Sequence, residues 1–77
     1  MTNFRIERIP FDGDALDAWG RADDRHTNWP VVYTINDKKQ IYVGETTNPV
    51  RRLLQHKANP DRSTLQRARI ILGETFN

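Results

Sequence analysis

Val31-Val32-Tyr33-Thr34-Ile35-Asn36-Asp37-Lys38-Lys39-Gln40-Ile41-Tyr42-Val43-Gly44-Glu45-Thr46-Thr47-Asn48 is the stretch on which the fold of this chain turns. Val31 to Ile35 are all good strand formers. The polar run Asn36-Asp37-Lys38-Lys39 reads as a turn, and Gln40 to Val43 resume the strand pattern. A connection this short joins its strands antiparallel, so the stretch predicts a β-hairpin. Gly44 is expected to end the second strand, where a missing side chain permits an unusual backbone angle or the close approach of a neighbour or ligand. Tyr33 and Tyr42 lie across the short hairpin, so their side chains can reach one region. Cross-strand packing is one reason to place them there. Two phenols facing a phosphate is the other.

Downstream, Asn48 is a good N-cap and Pro49 suits the first helical position. Val50, Leu53 and Leu54 then form an apolar stripe at helical spacing, with Arg52 and His56 expected on a different face. Ala58-Asn59-Pro60 stops the helix. Residues 61–67 read as a loop or a single turn. Ala68 to Leu72 read as a third strand that sends Ile70, Ile71 and Leu72 into the core, with Gly73 breaking it. Phe76 lies beyond that strand, still available for burial. Upstream, Phe4 and Ile6 alternate with Arg5 and Glu7, which suggests a short strand. Asp12 or Asp14 can cap a short helix from Ala15 to Ala22 that buries Leu16 and Trp19 and is weakened by Gly20. The polar run from Asp23 to Asn28 ends it, and Trp19 and Trp29 are expected to pack. The fold class is therefore α+β: a small three-stranded antiparallel sheet flanked by helices over residues 29–77, preceded by an N-terminal extension of strand and helix over residues 1–28.

The chain has 77 residues, which allows one domain, and a core of this size supplies only about 3–5 kcal/mol of net stability. There is no cysteine, so neither a disulfide nor a thiolate metal site contributes. His26 and His56 have no zinc-like spacing. The sequence offers no signal-peptide run and no window apolar enough to span a membrane, and a cytoplasmic domain is expected. The net charge of +2 is unevenly distributed. Residues 1–37 hold four arginines against seven carboxylates, and residues 38–77 hold eight basic residues against three acidic ones. An arginine-rich basic half suits phosphate contacts, and it equally suits a solvated surface.

The chemistry gathers between the hairpin and the helix. Tyr33, Tyr42, Arg52 and His56 supply phenols, a guanidinium and an imidazole near a helix start. A phenol can orient or deprotonate water, and arginine can stabilise charge developing on phosphate oxygens, so these are parts for phosphodiester hydrolysis. A hard divalent cation, which such chemistry often uses, wants a carboxylate. Glu45 is the nearest acid in sequence, and Glu74 follows the third strand.

Tyr33, then Tyr42-Val43-Gly44, then Arg52-Leu53 and Gln55-His56 resemble the GIY-YIG nuclease domain over residues 29–77. The first motif, Gly-Ile-Tyr in the family, stands here as Val31-Val32-Tyr33, and the second, Tyr-Ile-Gly, as Tyr42-Val43-Gly44. The helix arginine falls on Arg52, and the histidine or tyrosine that often follows it falls on His56. The resemblance implies cleavage of DNA with one divalent metal, usually magnesium. It implies that Tyr33 assists the attacking water, Tyr42 orients water or phosphate, Arg52 stabilises the scissile phosphate, and His56 moves a proton or binds phosphate. Gly44, Arg51 and Lys57 are the candidate DNA contacts, with Arg62, Arg67 and Arg69 as further basic residues that could follow the backbone.

In the family the metal-binding glutamate lies on a helix after the third strand, and Glu74 stands too early to match it. The metal ligand is accordingly expected outside this chain, and the 77 residues are expected to be inactive alone. The resemblance points to the N-terminal segment of a larger bacterial protein with a helicase-like NTPase region beyond it. Two alternatives stand beside the nuclease: a DNA-binding module without chemistry, and a small protein-interaction domain.

Overall fold

The computed structural model describes residues 3–73. Glu74 and Phe76 lie outside the described residues. Strands β1 (Phe4–Pro10), β2 (Val31–Asn36), β3 (Ile41–Thr46) and β4 (Arg67–Gly73) form one antiparallel sheet in the order β1-β4-β2-β3. Helices α1 (Gly13–Ala22) and α2 (Pro49–Ala58) lie on one face of it, and a short 3-10 turn, Asp24–His26, follows α1. The α+β expectation holds. The N-terminal strand is part of the sheet: β1 pairs with β4 from Phe4↔Gly73 to Pro10↔Arg67. β4, the last strand in the described chain, is thus central, flanked by β1 and β2.

Alternation decides what each strand buries. Val31, Tyr33 and Ile35 of β2 and Ala68, Ile70 and Leu72 of β4 face the helices and are buried with Leu16, Trp19 and Leu53. Ile71, expected in the core, points to the other face, because a period of two admits only alternate members of an apolar run. On that open face Phe4, Ile6, Val32, Ile41 and Val43 are exposed.

Three local expectations are corrected. β3 does not end at Gly44 but runs to Thr46, with Gly44 paired to Tyr33 inside the ladder. α1 begins at Gly13, capped by Asp12, whose carboxylate accepts the Ala15 N–H at 3.1 Å. α2 is turned further than its apolar residues suggest: Pro49, Leu53 and His56 are buried, whereas Leu54 is 37% exposed. His56 therefore shares a face with Leu53 and not with exposed Arg52. Val50 turns sideways against α1, where a Cβ on Gly20 would stand 2.6 Å from Val50 Cγ2. Gly20 is the residue that lets the helices meet.

A polar network anchors β1 to this helical layer. His26 is buried, stacks on the Trp19 ring, and bonds the Trp19 carbonyl through Nδ1 and Glu7 Oε2 through Nε2. Trp19 Nε1 donates to Glu7 Oε1 at 3.3 Å. Arg5 pairs with Glu7 and Asp23, and Arg25 also pairs with Asp23. Trp29 packs against the core and donates from Nε1 to the Gly73 carbonyl at 2.8 Å.

Candidate functional site

Two strands and a helix meet around the Tyr33 hydroxyl. β2 presents Tyr33, β3 presents Tyr42 and Gly44, and α2 presents Arg52 and His56. Tyr33 is 1% exposed and His56 2%. The Tyr33 hydroxyl and His56 Nε2 are hydrogen-bonded at 2.7 Å across 23 positions of sequence. Gly44 makes this possible. A Cβ there would stand 2.6 Å from Tyr33 Cζ and closer still to its hydroxyl, so the phenol lies where a side chain on β3 would be. No glycine among the described residues has positive φ, so close approach, and not an unusual backbone angle, is what position 44 requires.

Tyr42 is half-buried, with its ring centroid 4.8 Å from that of His56 and tilted by 59°. The Arg62 guanidinium lies 4.3 Å from the centroid of the Tyr42 ring, within cation-π range. Arg52 is exposed and donates to Gln55 Oε1 at 3.1 Å. The Tyr33 hydroxyl, and then that of Tyr42, holds the Arg52 guanidinium more firmly in its charged form than usual. Burial pushes the His56 imidazole below the ordinary histidine value of 6.5, and the positive charges of Arg52 and Arg62 push the same way. His56 is therefore neutral at neutral pH. A neutral imidazole can accept the Tyr33 O–H at Nε2 or donate an N–H to the phenol oxygen.

The structure thus brings together Tyr33, Tyr42, Arg52 and His56, with Gly44 as the floor. It does not bring in Arg51 or Lys57. The Arg51 N–H bonds the Asn48 side chain and the residue is exposed. Lys57 donates to the Ser63 carbonyl at 2.8 Å and sits over the Phe11 ring, so its ammonium is already held. Arg62 joins the cluster, a position that sequence pattern could not assign because it lies in the loop after Pro60, where no periodicity places a side chain. Val31, standing where the family motif has glycine, is a buried core residue opposite Leu72 and Thr46.

Residues 30–76 match the family model of the GIY-YIG catalytic domain. The chain belongs to the GIY-YIG family. No curated protein and no solved structure matches the chain at a significant level. The family is one of nucleases that act on DNA and generally depend on a divalent metal. The donors assembled in this GIY-YIG domain do not fit such a cation. They are phenols, an imidazole and guanidinia, and among the described residues no three His, Cys, Asp or Glu side chains come together to hold a metal. Glu45 is exposed on the open face of the sheet, away from Tyr33. No helix among the described residues is long and apolar enough to cross a membrane.

Proposed function

We propose that this domain is the phosphate-binding and proton-handling part of a DNA endonuclease site. The observation that carries the reading is the 2.7 Å Tyr33–His56 hydrogen bond, sealed by Gly44 and overlooked by a firmly charged Arg52, at the positions that match the family. Arg52, the exposed cation of the group, binds the scissile phosphate and offsets charge that develops on its oxygens as water attacks. Tyr42 and Arg62 flank the phosphate. Tyr33 accepts a proton from the attacking water while its own passes to neutral His56, so no buried phenolate need persist. Each step concerns this chain's own residues, and a metal, if the reaction uses one, draws its carboxylates from outside the described set.

Two measurements test this in sequence. The 77-residue chain is expected to bind duplex DNA without cutting it, and Arg52→Ala is expected to weaken that binding. The natural protein carrying the domain is then expected to nick supercoiled plasmid in magnesium, with Tyr33→Phe lowering the rate by about 10²–10⁴-fold, as for a lost general base. Because the His56 pKa is lowered, the rate should hold as pH falls through the ordinary histidine value of 6.5 and decline only below it. A rate that already halves at 6.5 would count against His56 as the proton acceptor. DNA binding without nicking in the natural protein would instead favour a non-catalytic binding module. Failure of the chain to bind DNA at all would overturn both.

A further inference from the structure

The helices leave one face of the sheet open, and its charge does not belong to the site above. Arg8 of edge strand β1 and Arg69 of central strand β4 are direct cross-strand partners, and Arg67 precedes Arg69 by two positions along β4 on the same face. Directly opposed side chains on antiparallel strands have Cβ atoms about 4.5–5.5 Å apart, and like charges placed so are destabilising. All three arginines are exposed, and none of their side chains makes a hydrogen bond or ion pair with any described residue.

The contrast is with the arginines on the other face of β1, on α1 and just after it. Arg5, Arg21 and Arg25 are each paired to a carboxylate. Around Arg8 and Arg69 no such partner is present among the described residues. The Asp37 carboxylate is occupied by the Lys39 and Gln40 amides of the hairpin turn. Glu45 shares the face, but stands on the opposite edge strand in the row of Ile6, Ile71 and Val32. The side-chain oxygens of their cross-strand partners on β2, Thr34 Oγ1 opposite Arg69 and Asn36 Oδ1 opposite Arg67, are buried with no hydrogen-bond partner. Protection of a sheet edge would account for Arg8, but not for two arginines on a central strand. The surface continues past Gln66, which lines both the hollow walled by the three arginines and the next one, walled by Asp37, Lys38 and Lys39.

We infer that this open face is a second DNA contact, in which Arg8, Arg69 and Arg67 engage phosphates of the backbone from the side of the sheet opposite the Tyr33–His56 cluster. Unpaired guanidinium forks match phosphate oxygens two at a time. A polyanion also removes the mutual repulsion of Arg8 and Arg69, so binding relieves a conflict that the free domain carries. The inference rests on the DNA reading above, but places its contacts on different residues. It makes a flat, sequence-tolerant contact, since every residue it uses addresses backbone and not base edges.

The test is a salt titration of binding to a short fluorescein-labelled duplex of arbitrary sequence, followed by anisotropy. The Arg8→Ser, Arg69→Ser double variant is expected to shallow the slope of log affinity against log salt by about two, close to one for each phosphate that an arginine no longer neutralises. Its melting temperature should be no lower than that of the parent chain, because a like-charge pair has been removed. Arg69→Lys, which keeps the charge, should retain most of the slope. A double variant that titrates on the parent curve while Arg52→Ala still weakens binding would overturn this inference and leave the DNA reading intact. Absence of binding by the parent chain would overturn both. Phenylglyoxal labelling of the unaltered chain, read by mass spectrometry, gives a result that needs no variant to fold. DNA should protect Arg8, Arg67 and Arg69, and equal labelling with and without DNA would overturn the inference.

Discussion

Gly44 shows how one missing side chain can organise a site. It lies in an ordinary strand conformation, opposite Tyr33, and its only unusual property is the space above it. A methyl group there forces the phenol off His56 or pushes the strands apart. Gly44→Ala is therefore expected to cost about 1–3 kcal/mol of unfolding free energy, the usual range for overpacking a filled core, as measured by urea denaturation. The Tyr33–His56 bond should break with it, and the His56 imidazole, no longer packed as tightly, should titrate closer to 6.5 by NMR. An alanine variant with unchanged stability and an unchanged His56 titration would show that the space is not needed. The tyrosines, the arginine and the histidine were legible in sequence because a motif with fixed spacing carries them. Arg62 was not, because its approach to Tyr42 depends on how a loop returns across the sheet.

At the scale of elements, α2 is the clearest case of sequence pattern meeting tertiary context. Its cap and its start follow from Asn48 and Pro49, whose local chemistry needs no partner beyond the helix itself. Its rotation does not. Apolar spacing favours Val50, Leu53 and Leu54, yet the helix buries Pro49, Leu53 and His56. The hydrogen bond to Tyr33 satisfies the imidazole inside the core, so a polar residue occupies a position that periodicity reserves for an apolar one. The two leucines should then respond very differently. Leu53→Ala, at a fully buried position, is expected to destabilise by about 2–5 kcal/mol. Leu54→Ala, at a position 37% exposed, is expected to cost less than about 1 kcal/mol. Equal losses on thermal or urea unfolding would mean that the helix faces the sheet differently.

The whole molecule depends on β1, which turns a hairpin and a third strand into a four-stranded sheet with β4 at its centre. Besides its ladder, β1 is tied to the end of α1 by Arg5 and Glu7, through Asp23, His26 and Trp19. Asp23 is the hub. Its carboxylate accepts the Arg25 N–H at 2.9 Å and meets the guanidinia of Arg25 and Arg5, and these bonds, the Arg25 amide first, hold its pKa well below the ordinary 3.8. An acid whose folded pKa is lowered contributes stability that is present above its unfolded value and is lost as pH falls from there toward the folded one. The protein should accordingly lose part of its stability below about pH 3.8, and Asp23→Asn should lower stability at neutral pH while flattening that acid limb. Far-UV circular dichroism across an acid titration reads both, and an unchanged acid limb in the variant would show that Asp23 is not the link.

The sequence by itself determined the hairpin, the caps and limits of α2 and the α+β class, and its motif pointed to Tyr33, Tyr42, Gly44, Arg52 and His56, which the fold brings together. Turn chemistry and capping side chains act over a few residues, and a motif of fixed spacing can be read without knowing the fold. Only the tertiary structure decided that β1 joins the sheet beside β4, that Ile71 faces outward, that His56 is a core residue, and that Arg8 and Arg69 stand opposed with no carboxylate beside them among the described residues. Those outcomes depend on which strands become neighbours and on which face the helices cover. Long-range packing sets both, and no short window of sequence contains it.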